Sequence, residues 1–402
     1  MEKEEKSVNN FNASKDVKIL LFLSAGFVVL FVVLTILKQS VAISEWWSRT
    51  IGRAWIFVVG NFTTLFGFSL FEVLLIAAII GIVAWIAFLI IFLVKGKKRA
   101  VFKLILILVC CVFGCLSIYS GVAGFAYNRA ELPVELDNGE ITKEEVYDIA
   151  QRYVDKINEV ALRLETDEKG AVVCPYTMKE LSEKLIKEYE RLDGEEYNGY
   201  FSSFTTRAKS SLFSKIMTEM HITGMFFAPT GEAHINTSCP SCSVAVTAAH
   251  EIAHSKGIMR EGDANLLAYY ITLTSDDDYL LFSGLFELLN SFLDAVTYYS
   301  GYVSFYNELY SSLNSTVKAT IKEYNAFWNS HKGLVELEET LNNAYLKSNG
   351  VENGTDSYSD STTSDVVFDY DNLDENGSPT VIINSFSDAQ LLVFKLAQDG
   401  IL

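Results

Sequence analysis

Three uninterrupted apolar runs near the N-terminus limit what this chain can fold into more than any other feature. Ile19–Leu37 covers 19 residues with no charge, Ser69–Val94 covers 26 with only Glu72 charged, and Leu104–Ala126 covers 23 with none. A helix rises 1.5 Å per residue, so about 20 apolar residues cross a hydrocarbon layer of about 30 Å. Residues 1–128 are therefore expected to be a membrane region of three helical spans, near 19–37, 69–94 and 104–126. A cleaved signal peptide accounts for the first run but not for the other two. Core helices of a soluble domain rarely go so long without a charge.

Charge separates the chain at the same boundary. Residues 1–128 hold 12 Lys/Arg against 6 Asp/Glu, a net of +6, whereas residues 129–402 hold 20 against 44, a net of −24. The acidic part excludes nucleic acid as a partner, because phosphate demands the opposite sign. The basic residues also set an orientation. Lys95-Gly-Lys97-Lys98-Arg99, with Lys103 behind it, forms a loop that belongs in the cytoplasm. Lys3, Lys6, Lys15 and Lys18 place the N-terminus on that side too. The segment Lys38–Phe68 and everything after Tyr127 then lie outside the cytoplasm, with Trp46, Trp47 and Trp55 suited to the membrane interface. The predicted location is a multi-pass cell-membrane protein with its large domain extracytoplasmic and the lipid bilayer as a partner.

Past the last run the patterning is that of an α+β, mostly helical domain over 129–349. Val146, Ile149, Ala150, Tyr153, Ile157, Val160, Ala161 and Leu164 recur at helical spacing within Thr142–Leu164. Met178–Tyr189 predicts a second helix capped by Thr177, and Gly194–Ser203 a polar, tyrosine-containing connection. Ile222–Ala228 and Ala233–Asn236, joined by Pro229-Thr-Gly231-Glu232, predict a small β-hairpin. Helices rich in aromatics are expected beyond Asp278. Residues 350–380 are full of Asn, Gly, Ser, Thr and Asp and are expected to be a flexible polar insertion. In 381–402, Ser387 caps an apolar stripe expected to form a last helix packed on the domain.

The chemistry concentrates at His250-Glu251-Ile-Ala-His254. Histidines four apart share one side of a helix, so both imidazoles reach one metal ion, and the intervening glutamate lies where a general base is needed. Zn²⁺ is the expected ion, since a catalytic zinc takes three protein ligands and leaves a position open. The third ligand is chosen between Glu261 and Asp263. Residues two apart on a helix face opposite ways, and Glu261 has the longer reach; Glu261 is therefore expected to ligate. Gly257 lets the backbone reverse between the two helices. Asn265 shares a face with Glu261 and is expected to hydrogen-bond the far nitrogen of a ligating histidine. His221 and His234 are ordinary polar residues on this reading, with assistance to the metal or an oxyanion as the less favoured role. Cys239-Pro-Ser-Cys242 has no second CxxC to complete a structural zinc site, so a short local disulfide or two free thiols is expected.

The chain resembles a bacterial family of multi-pass membrane proteins, domain of unknown function 3810, in the clan of HExxH metallopeptidases. The resemblance is carried by Pro229-Thr-Gly-Glu-Ala-His-Ile-Asn236, His250-Glu-Ile-Ala-His254-Ser-Lys-Gly257, Arg260-Glu-Gly-Asp-Ala-Asn265 with Leu267-Ala-Tyr269, and Tyr345-Leu-Lys-Ser-Asn-Gly350. It implies a zincin-like peptidase domain with His250, His254 and Glu261 as ligands and Glu251 as base. The Cys239/Cys242 pair is outside the family pattern, and Ser385-Phe-Ser-Asp follows an insertion.

The expected function is that of a membrane-anchored zinc metallopeptidase hydrolysing peptide or protein substrates outside the membrane. A non-catalytic zinc- or partner-binding sensor or scaffold is the alternative from another class. Intact Glu251 disfavours it, since a binding-only site has no need of a base.

Overall fold

The apolar runs fold as helices Lys15–Leu37, Leu70–Val94 and Lys98–Tyr119, the last continued by a π-helical turn at Ser120–Gly124. They belong to a computed structural model that describes residues 14–130, 132, 136, 141–192, 204, 206–300, 303–331, 333–358, 365–373 and 379–402. Lys3, Lys6 and all of Gly194–Ser203 lie outside the described residues. Among the described residues, four helices are long and apolar enough to cross a membrane, but they differ in cover. The apolar windows of the first three are 11%, 0% and 17% buried, while that of Asp278–Thr297 is 78% buried and belongs to the core. Several apolar helices near the N-terminus thus present their side chains outward, compatible with membrane association.

Helices Lys15–Leu37 and Lys98–Tyr119 pack together along their length. Ser24 Oγ donates to the Leu106 carbonyl at 3.2 Å, and the Phe31 and Phe113 rings meet edge to face at 5.9 Å. Between the first two apolar helices the chain does not cross as a loop. It is helical from Val41 to Thr64, with π-helical stretches at Ser48–Gly52 and Ile56–Gly60.

The rest of the chain is mostly helical around a three-stranded sheet. Strand β1 (Ala208–Ser210) runs parallel to β3 (Glu232–Ile235), which pairs antiparallel with β2 (Gly224–Phe227), in the order β1-β3-β2. The expected hairpin is therefore β2–β3. Strand β1 is only three residues long and leaves no alternating pattern to read. On the sheet lies the helix Val244–Ser255, whose Ala245, Ala248, Ala249 and Ala253 are fully buried. Small side chains there let neighbouring elements approach closely. Helices Glu261–Leu273 and Asp278–Ser300 pack behind it. The helix over Thr142–Leu164 spans Lys143–Ala161, where Thr142 and Glu145 form a capping box. The last helix, Asp388–Gln398, is capped the same way by Ser387 and Gln390.

One expectation needs correction. Within 350–380, Gly354–Tyr358 forms a 3-10 turn, and β4 (Asp365–Leu373) pairs antiparallel with β5 (Pro379–Ser385). A ladder satisfies backbone donors and acceptors whatever the side chains are, so a polar stretch around Val366-Val-Phe368 still forms a strand.

The domain and the apolar helices interlock through polar groups at one end of the helix Leu70–Val94. Glu232 accepts from the Leu70 and Phe71 amides at 3.0 and 2.8 Å, the orphan donors of that helix's first turn. Lys209 Nζ bridges Glu232 Oε1 at 2.7 Å and the Thr63 and Phe68 carbonyls at 2.9 Å each. Glu72 Oε1 accepts from Ser211 Oγ and the Leu212 amide at 2.7 and 2.8 Å. The basic loop at Lys95–Lys98 ends the same 25-residue helix, so it lies about 37 Å away at 1.5 Å per residue.

Candidate metal centre

The helix Val244–Ser255 ends where the second histidine has just been placed. Lys256 caps it, and Gly257 follows with φ +89°. The Gly257 amide donates to the His254 carbonyl at 3.0 Å and the Ile258 amide to the Ala253 carbonyl at 3.3 Å, a Schellman motif. A β-carbon would be strained at this φ, which explains the glycine. Four residues later the next helix starts at Glu261, so its first side chain turns back toward the histidines.

The result is a tight cluster. Glu261 Oε2 lies 3.1 Å from His250 Nε2 and 3.4 Å from His254 Nε2. The three ligand atoms all lie within 4.8 Å of one another, and the imidazole planes stand at 87°. Asp263 is not part of the cluster. His254 Nδ1 donates to the Ile258 carbonyl at 2.7 Å, which turns Nε2 inward. Asn265, expected to hydrogen-bond the far nitrogen of a ligating histidine, donates from Nδ2 to the Tyr358 carbonyl at 3.3 Å. The carbonyl of Ile258, set by the Gly257 turn, does the work for His254.

The electrostatics match a cation site. Burial disfavours protonated His254, but the adjoining Glu261 carboxylate prevails and holds the imidazole at about 9. Burial likewise pushes Glu261 up, yet the two imidazoles bring its carboxyl down to about 2. A carboxylate kept ionised among imidazoles attracts positive charge, and a metal ion competes for the place of that proton.

Glu251 faces the same space from the metal helix. It is buried, desolvation pushes its carboxyl up, and Oε2 has no hydrogen-bond partner. A buried, orphaned carboxylate oxygen is costly unless a ligand or water completes it. The side chain lies over Gly224 in β2: a β-carbon there would stand 2.6 Å from Glu251 Oε1 and 2.7 Å from its Cγ. Gly224 is a site residue that the motif alone did not expose.

The remaining candidates separate cleanly. His234 lies in the interlock, with Nε2 2.7 Å from Ser69 Oγ and Nδ1 donating to the Met225 carbonyl at 3.3 Å. His221 contacts the His331 carbonyl. Neither joins the cluster. Cys239 and Cys242 are free thiols, as is Cys174, and burial raises the Cys239 and Cys242 thiols, Cys239 to about 12.

Two further sets of contacts tie the surroundings of the cluster to the apolar region. Arg129 is buried and paired bidentately with Glu45, with Nε–Oε2 and Nη2–Oε1 both at 3.0 Å, and its Nη1 donates to the Gly257 carbonyl at 2.9 Å. Arg260 Nη2 donates in turn to the Arg129 carbonyl at 2.7 Å. The turn joining the clustered residues is thus held by Arg129, which follows the third apolar helix. Tyr345 Oη lies 3.0 Å from Tyr127 Oη and 2.5 Å from Tyr119 Oη. Burial, with a smaller push from Glu261 and Glu251, raises the Tyr345 and Tyr358 phenols and keeps both as donors beside the site. The signal for Tyr345 was its place in the Tyr345–Gly350 motif.

A mostly helical chain with outward-facing apolar helices, a small sheet and a His-His-Glu cluster is the class defined so far. The chain belongs to the family described as protein of unknown function (DUF3810), which matches residues 47–363. No curated protein and no solved structure matches it.

Proposed function

We propose that this protein is a membrane-anchored zinc metallopeptidase that hydrolyses peptide bonds outside the cytoplasmic membrane. Three spans anchor a zincin-like domain, with the N-terminus cytoplasmic. The observation that carries this reading is the meeting of two imidazole nitrogens and one carboxylate oxygen within 4.8 Å, beside a buried carboxylate with an orphaned oxygen. Two nitrogen donors and one oxygen donor suit zinc and leave room for a fourth, non-protein ligand. When bound, such an ion supplies Lewis acidity for water and for a peptide carbonyl.

The chain's own groups supply the rest. His250, His254 and Glu261 hold the ion. Glu251 takes the proton of the attacking water at Oε2 and delivers it to the leaving nitrogen, a role worth about 10²–10⁴-fold. Its raised carboxyl suits that exchange. Strand β2 presents an edge paired by no other strand among the described residues, so an extended peptide can add to it by main-chain hydrogen bonds.

The test uses the full-length protein in detergent, with zinc content and hydrolysis of a broad peptide library measured for wild type and Glu251→Gln. The expected result is about one zinc per chain in both, and hydrolysis in wild type only. Zinc retained by wild type with no peptide cut would overturn the peptidase reading in favour of a binding role.

A further inference from the structure

Strand β2 has direction as well as an edge. It begins at Gly224, under Glu251, and ends at Phe227, whose ring lies 4.2 Å from that of Phe71 in the second apolar helix. The turn that follows is seated on the helical segment between the first two apolar helices. Trp55 Nε1 donates to the Pro229 carbonyl and Thr63 Oγ1 to the Thr230 carbonyl, both at 3.2 Å. At Gly231 a β-carbon would stand 3.4 Å from Gly60 Cα. The same segment exposes Phe57, Val58, Phe62 and Leu65, the last to 80%. The three steps from Gly224 to Phe227 cover roughly 10 Å, so the base stands about that far from the apolar layer. A cavity beside His254 and Phe226 is also lined by Ile56, Val122 and Ala126 from the apolar region.

A peptide added to β2 therefore has one end at the base and the other at the layer of apolar helices. We infer that the substrates are polypeptides anchored in the same bilayer and cut in the stretch next to their anchor, within a few residues of the membrane surface. This rests on the metallopeptidase reading above. The interlock of Glu232, Lys209 and Ser211 with the start of the second apolar helix, and of Arg129 with Glu45 and Gly257, fixes the height of the site. A chain arriving from solution gains nothing from that arrangement. A chain already anchored enters at the correct end of β2.

Full-length, zinc-loaded protein in phosphatidylcholine–phosphatidylglycerol vesicles tests the inference with one peptide sequence that it cuts in detergent. The sequence is presented free and on a dual-acyl anchor through flexible spacers of about 4, about 12 and about 24 residues, at matched surface density. Cleavage through the shortest spacer is expected to be at least ~10-fold faster than through the longest, because a longer tether dilutes the peptide around a site that a short one already reaches. In detergent, where no common surface exists, the difference should fall below about 2-fold. If the shortest-spacer peptide resists cleavage in vesicles while the longest-spacer and free peptides are cut, the site stands off from the bilayer and the inference is overturned with the peptidase reading intact. If no peptide is cut even in detergent by zinc-loaded protein, the peptidase reading itself fails, and the inference with it.

Discussion

Gly224→Ala probes whether Glu251 works from the position in which it is packed. The new β-carbon would lie 2.6 Å from Glu251 Oε1, 2.7 Å from Glu251 Cγ and 2.8 Å from Thr247 Cγ2. Carbon atoms sit at about 3.5–4.0 Å when in favourable contact, so the glutamate must yield by roughly 1 Å. Overpacking of this kind costs about 1–3 kcal/mol of stability. A misplacement of about 1 Å at a reacting group costs about 10²-fold in rate. The three atoms nearest the new β-carbon belong to Glu251 and Thr247, not to the proposed ligands His250, His254 and Glu261, so zinc content should be unchanged. We expect G224A to hold zinc as wild type does, unfold a few degrees lower, and lose about 10²-fold in kcat/KM. Adding Thr247→Ser removes only the Cγ2 contact and should restore part of the stability without restoring activity. A zinc-loaded G224A enzyme with wild-type kcat/KM would refute the assignment of Glu251 as the base.

Three further outcomes follow from the geometry. Glu261→Ala should weaken zinc binding by more than the roughly 10–100-fold that loss of a ligand's outer hydrogen-bond partner costs, while Asp263→Ala leaves it unchanged; competition with a fluorescent chelator reads both. Burial pushes the Glu232 carboxyl up, but the Lys209 ammonium and the Phe71 and Leu70 amides outweigh it and hold it below its ordinary 4.5. A depressed carboxyl stabilises the fold above pH 4.5 and loses that contribution as pH falls through its lowered value, so hydrogen exchange over 208–235 should rise in that acid window. Glu232→Gln, which costs about 1.5–3 kcal/mol, should remove the pH dependence. Cys239 and Cys242 should resist alkylation at pH 8 in the folded protein and react on unfolding, because burial keeps both as thiols.

The HExxH helix, the Gly257 turn and the grouping of Glu261 with the two histidines were legible because helical spacing decides which side chains share a face. The three apolar helices were legible from length and charge. The group that orients His254 was not legible, because it is a backbone carbonyl and residue type carries no trace of where a carbonyl points. The β4–β5 ladder escaped for a similar reason: backbone pairing holds a stretch whose composition argues for none. Glu45–Arg129 and Glu232 with Leu70 are separated by 84 and 162 positions, and no local pattern links such distant partners.

The anchoring of Glu232 and Lys209 on the start of the second apolar helix also bears on biogenesis. On the proposed topology, Leu70 and Phe71 are synthesised and inserted well before residues 208–235 emerge, since chains fold in the order in which they are made. Their amides form a dock that waits for the sheet, and the HExxH helix follows the sheet directly in sequence. On the proposed function and topology, the hydrolytic machinery then matures only after its own chain has been threaded to the far side, and the cell's interior is spared a working peptidase during synthesis.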